Sequence, residues 1–130
     1  MKDDPRIPAI RAAIVAFNER DVSALMEFIN PEVVSRVAQG LGNPGTFHGV
    51  DGYLAMMNDW GEAWSENQLD LGEIELVDDA TALVHVNQTA VGAGSGVPVE
   101  FETVFLVEFS GTQAIRFEIH PGRDSAMAAL

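Results

Sequence analysis

Residues 97–120 read VPVEFETVFLVEFSGTQAIRFEIH, and this stretch decides the fold class. Its first half alternates. Val97, Val99, Phe101, Thr103, Phe105, Val107 and Phe109 share one face of an extended chain. Glu100, Glu102 and Glu108 share the other, beside Val104 and Leu106. A period of two predicts a strand with one buried face and one partly wet face. Ser110-Gly111-Thr112 reads as a hairpin turn. The chain then returns over 114–120, where Arg116, Glu118 and His120 alternate with Ile115, Phe117 and Ile119. Val104 and Leu106 are apolar on an otherwise acidic face, which predicts a contact patch and a dimer seam.

Upstream lie two more strands. Residues 81–91 place Thr81, Leu83, His85, Asn87 and Thr89 on one face and Ala82, Val84, Val86, Gln88 and Ala90 on the other. Residues 69–77 form a strand whose phase changes near Gly72, which predicts a bulge. Asp78-Asp79 is the turn between them, and Gly92-Ala93-Gly94-Ser95-Gly96 is a flexible connection into the long strand.

The first half of the chain is helical. Ile7, Ile10, Ile14 and Phe17 recur at three and four residues, the stripe of a helix. Asp21 suits the N-cap of a short second helix carrying Leu25, Met26, Phe28 and Ile29, which Asn30-Pro31 stops. Val33 to Val37 reads as a short strand, and Gln39 to Gly49, rich in glycine, as a loop in which Thr46-Phe47-His48 adds a brief strand. Val50, Tyr53, Leu54, Met57, Trp60 and Trp64 keep the helical period through a third helix. Residues 123–130 suit a helical turn. Helices first and strands last predict α+β, with helices packed on one face of a curved antiparallel sheet. No linker or repeat divides the chain, so one domain over 1–130 is expected.

Composition narrows the function without naming it. The chain has 130 residues, 20 acids, 7 bases and no cysteine, with a net charge of −13. Such a polyanion disfavours nucleic acid and anionic membrane surfaces as partners. Thiol catalysis and thiolate metal sites are excluded. The charge is uneven: residues 51–130 hold 14 acids against only Arg116 and Arg123. It reads as solvated carboxylates, part of them on the outer sheet face. The charged, proline-interrupted start MKDDPRIP lacks a signal peptide's apolar core, and no apolar run approaches a membrane span. A cytoplasmic location is the expectation. The three histidines stand on separate elements without ligand spacing, so neither a metal nor a cofactor is expected.

Several local motifs, in order, resemble the polyketide cyclase SnoaL-like group of the nuclear-transport-factor-2-like superfamily. They are Glu19-Arg20-Asp21, Asn30-Pro31-Glu32, Phe47-His48-Gly49-Val50-Asp51-Gly52, Trp60 with Glu62-Ala63-Trp64, Gly94-Ser95-Gly96-Val97, Phe109-Ser110-Gly111, and Arg123 to Met127. The resemblance implies a cone, in which a curved sheet wraps around three N-terminal helices and leaves an apolar pocket at its open end. It also implies a small hydrophobic ligand and a homodimer through the outer sheet face. Relatives include ketosteroid isomerases, polyketide cyclases, limonene epoxide hydrolases and non-catalytic domains, so fold alone selects no chemistry. Where limonene epoxide hydrolases carry an Arg-x-Asp pair and a further Asp, this chain has His85, Asn87 and Glu118. Where ketosteroid isomerases carry an acidic donor, it has Phe105.

Two readings stay open for the polar rows of the shorter strands: an outward solvated face, or the polar end of a pocket. In the second, His85 is a general acid or base on a small carbonyl compound. Glu118 orients it, or is itself the base with a pKa raised by desolvation. Asn87, Arg116 and His120 complete the polar end, while Tyr53, Trp60 and Phe105 line the ligand. The reaction class would be isomerase, cyclase or hydrolase. The alternative is a binding or assembly domain without catalysis.

Overall fold

The computed structural model describes residues 4–38, 45–62 and 64–130, and of Trp60 only the backbone. Helix α1 spans Arg6–Asn18, α2 Val22–Phe28 and α3 Gly49–Glu62, and a short α4 spans Arg123–Ala128. The strands are β1 Ile29–Val37, β2 Gly45–His48, β3 Trp64–Leu76, β4 Thr81–Gly92, β5 Pro98–Ser110 and β6 Gln113–His120. They form one curled sheet in the order β2-β1-β6-β5-β4-β3. The α+β architecture is as expected, with one correction. The sheet is mixed, because β1 runs parallel to β6. The intervening α3 and hairpins carry the chain across the sheet, which a hairpin alone cannot do.

Local chemistry sets several boundaries. Asp21 caps α2, its Oδ1 accepting from the Ala24 amide at 3.1 Å. Ile29 leaves that helix and opens β1, which begins earlier than the expected Val33. Pairing with β6 shifts register between Ile29 and Val34, around Pro31, whose nitrogen cannot donate to a ladder. Trp64, expected on α3, instead opens β3 opposite Gly92, where its ring packs on Phe101 at 5.6 Å. The expected bulge sits between Leu71 and Ile74. Gly72 suits it because a Cβ there would come within 3.2 Å of the His85 carbonyl oxygen. Of the loop expected over 39–49, residues 39–44 lie outside the described ones.

Cross-strand register assigns each side chain to a face. Val84, Val86, Phe105, Val107, Phe117 and Ile119 point inward and pack with Ile10, Phe28, Tyr53 and Met56 of the helices. The alternate residues Leu83, His85, Val104, Leu106, Glu118 and His120 point outward. There α4 lies on the sheet, and Ala126 closes a small second core with Leu83, Val104 and Leu106. The contact patch expected at Val104 and Leu106 is thus covered within the chain, and these two residues are not free to form a dimer seam. The inward face of β5 is buried only from Thr103 onward; Val97 and Val99 are exposed. No helix of the described residues is long and apolar enough to cross a membrane.

Candidate functional site

The inward face encloses an apolar cavity of about 40 Å³. Its lining runs from Ile10, Ile14 and Phe17 on α1 through Tyr53 on α3 to Phe105 and Phe117 on the sheet. A water needs about 10–15 Å³ of such space, so a few waters' worth of room remains, in a lining whose one polar side chain among the described residues is Tyr53. Among the described residues the cavity lining contains no Asp, Glu or His.

Phe17, Leu25, Tyr53 and Met57 line a second, larger space as well. This mouth, about 510 Å³, opens between the end of α1, α2, α3 and the start of β3. Its rim is polar: Arg20, Asp21, Asn58, Glu62, Trp64 and Asn67. Arg20 stands in the left-handed region at φ 58°, where a non-glycine residue is uncommon. Its guanidinium donates to the carbonyls of Phe17 at 2.9 Å and Asn67 at 2.7 Å, and lies 4.9 Å over the Phe17 ring. Asn18 exchanges two 2.8 Å bonds with the backbone of Leu69, which fixes the same corner.

Buried polar atoms on the inward side are incompletely satisfied. Gln88 Nε2 donates to Asn67 Oδ1, yet Gln88 Oε1 has no partner. Thr103 Oγ1, Ser35 Oγ and Trp64 Nε1 are also buried without one. Each such atom costs about 1–3 kcal/mol, so the interior is built with more hydrogen-bonding capacity than it uses. These residues were missed in the sequence. The signal was there: Gln88 and Thr103 interrupt otherwise apolar rows.

The outward face is the opposite case. Glu118 is 5% exposed and accepts from Arg36 at 2.9 Å, Arg116 at 2.8 Å and His120 Nε2 at 2.8 Å. His120 Nδ1 lies 2.7 Å from Ser125 Oγ, and Arg116 donates to the Ala129 carbonyl at 2.6 Å. Burial acts to raise the Glu118 carboxyl, but the bonds from Arg36, Arg116 and His120 outweigh it and hold it at about 2. The expected rise does not occur, and at neutral pH this carboxylate is a weak base. A second cluster joins Arg123 to Glu75 at 2.7 and 3.0 Å, with His85 Nε2 3.5 Å from Glu75. Arg123, with a smaller contribution from His85, lowers the Glu75 carboxyl to about 2.

The expected site residues therefore separate. His85, Asn87, Arg116, Glu118 and His120 are all outward. Glu118 gathers Arg116 and His120, whereas His85 pairs with Glu75 and Asn87 stands opposite Glu102. Tyr53 and Phe105 are inward and line the cavity. Tyr53 is fully buried, with its ring edge-on to Phe117 at 5.7 Å, and burial raises its phenol. The Trp60 side chain lies outside the described residues. Among the described residues no group of His, Asp and Glu is placed to hold a metal ion.

Comparison with known proteins agrees with this architecture. No curated protein sequence matches the chain. Solved structures do, at identities that carry the fold alone. A nuclear-transport-factor-2-like protein of unknown function from Burkholderia pseudomallei superposes with a TM-score of 0.82 at 20% identity, over 97% of each chain. TerC, co-crystallized with polyporic acid, gives 0.80 at 20% identity over 98% of each chain. A protein from Jannaschia sp. CCS1, provisionally assigned as a SnoaL-like polyketide cyclase, gives 0.78 at 14% identity, over 99% of this chain and 96% of the other. The SnoaL-like domain model matches residues 10–117. With helices, curled sheet and inner cavity all in place, the chain belongs to the SnoaL-like domain family.

Proposed function

We propose that this protein binds a small hydrophobic molecule in the mouth, with the apolar part of that molecule pressed toward the inner cavity. One observation carries the reading: an apolar cavity and a wide polar-rimmed mouth share Phe17, Leu25, Tyr53 and Met57 as a common neck. The cavity alone is too small for a ring system, so the body of the ligand sits in the mouth. Apolar walls with a few polar groups at one end are the ordinary form of a small-molecule site. TerC, similar in fold, was crystallised with an organic acid, which supports the same use of the cone.

An isomerase, cyclase or hydrolase built on His85 and Glu118 draws no support from this geometry. Both side chains lie across the sheet from the cavity. Binding is the function that the lining itself carries.

The test uses 2-methylnaphthalene, an apolar bicycle, followed by thermal denaturation and NMR. A ligand at ten times its Kd stabilises the folded state by about 1.4 kcal/mol. The wild type should show that rise, with shift changes centred on Phe17, Leu25, Tyr53 and Met57. Leu25→Trp, which fills the neck, should lose both responses. An equal response in the variant, or none in the wild type, rejects the site.

A further inference from the structure

We infer that Arg20 is the anchor of this site and that the ligand ends in an anionic oxygen group, a carboxylate being the plainest example. The inference rests on the pocket reading above and adds the chemical class of ligand.

Arginines in this chain are scarce, and carboxylates are abundant. Arg6, Arg36, Arg116 and Arg123 each hold a carboxylate. Among the described residues Arg11 and Arg20 hold none; Arg11 is exposed on α1 and Arg20 lines the mouth. Its NH1 and NH2 groups bind the backbone carbonyls of Phe17 and Asn67, which position the guanidinium without neutralising it. A guanidinium has five donors in a planar fork, so donors remain for an incoming acceptor. The fork lies over Phe17, a residue of the neck, so the charge stands where the apolar cavity meets the mouth. The left-handed backbone at Arg20 has a local cause. It is the left-handed cap that ends α1, with the Asp21 amide donating to the Ala16 carbonyl at 2.9 Å and the Arg20 amide to that of Phe17 at 3.1 Å, and it fixes where the Arg20 side chain starts.

Among the described residues the other charges of the mouth are Asp21 and Glu62. Asp21 is engaged in capping α2, and Glu62 accepts from Asn58. Neither carboxylate is hydrogen-bonded or ion-paired to Arg20, whose guanidinium donates to Phe17 and Asn67. In a strongly acidic protein these two carboxylates repel anions in general. An anion that binds must therefore meet Arg20 directly, and charge-assisted hydrogen bonds are the stronger kind.

The experiment compares 2-naphthoate with 2-methylnaphthalene, the same bicycle with and without the carboxylate, by titration calorimetry or NMR. The wild type should bind 2-naphthoate at least fivefold more tightly. Arg20→Gln should abolish that preference, bringing the two affinities within twofold of each other, and its amide NMR spectrum reports that the variant is folded. Arg20→Lys should keep part of the preference. Equal or reversed affinities in the wild type, or a preference that survives Arg20→Gln, overturn the assignment of Arg20 and leave the pocket reading standing. Failure of the wild type to bind either probe overturns both.

Discussion

The two faces of the same strands use polar residues in opposite ways. On the outward face Arg36, Glu118, Arg116, His120 and Ser125 satisfy one another, and Arg123 satisfies Glu75. These groups tie α4 onto the sheet. Among the described residues, Gln88, Thr103 and Trp64 on the inward face keep buried atoms without hydrogen-bond partners, against His85 Nε2 alone on the outward face, and Arg20 at the mouth keeps a charge without a counter-ion. The cluster around Glu118 attracts attention as a site, yet its members have already spent their hydrogen bonds on each other. Of these sparse, unsatisfied groups, Arg20 and Trp64 line the mouth and are still available to a ligand.

Acid should break the outward face first and most strongly. Glu118, Glu75 and Asp4 are each held at about 2, below their ordinary values of 4.5, 4.5 and 3.8. A lowered carboxyl stabilises the fold fully above its unfolded value, and that contribution is lost as pH falls through the folded one. Stability should therefore be flat at neutral pH and fall between about pH 4.5 and 2. Urea midpoints measured across this range check it; a midpoint unchanged down to pH 2 would contradict the network.

Single substitutions sharpen the contrast. Glu118→Ala leaves Arg36, Arg116 and His120 without their common acceptor. The full cost of breaking a buried pair is about 3–5 kcal/mol; with both arginines about a third exposed, a loss of about 1–3 kcal/mol is expected. Chemical denaturation measures it, and binding of 2-methylnaphthalene to the folded variant should stay within twofold. His85→Ala should do least, within about 0.5 kcal/mol, because His85 is partly exposed and contributes only a 3.5 Å contact with Glu75. A loss of probe binding in either variant would mean that the two faces are coupled and that the division drawn here is wrong.

Much of the fold was legible. Alternation along 97–109 identified a strand, Asp21 identified a cap, and Gly72 marked a bulge, because each is a local effect of backbone geometry or short-range hydrogen bonding. The inner lining was legible in part, through Phe105 and Tyr53. His85 and Glu118 lie on the face opposite the cavity, which the sequence did not reveal, for a specific reason. A period of two separates two faces but does not say which one meets the helices. Arg20 and Trp64 were passed over because nothing local distinguishes a held, unpaired guanidinium from a solvated one, or a tryptophan ending a helix from one opening a strand.

Sequence alone thus determined the class of the molecule: an acidic α+β chain with an amphipathic sheet and no thiol chemistry. Those properties follow from composition and from residue spacing within single elements. Only the tertiary structure decided that β1 runs parallel to β6, that α4 covers Val104 and Leu106, and that the His85 and Glu118 rows turn away from the cavity. Each of these depends on contacts between residues far apart in the chain, where burial and pairing outweigh local preference.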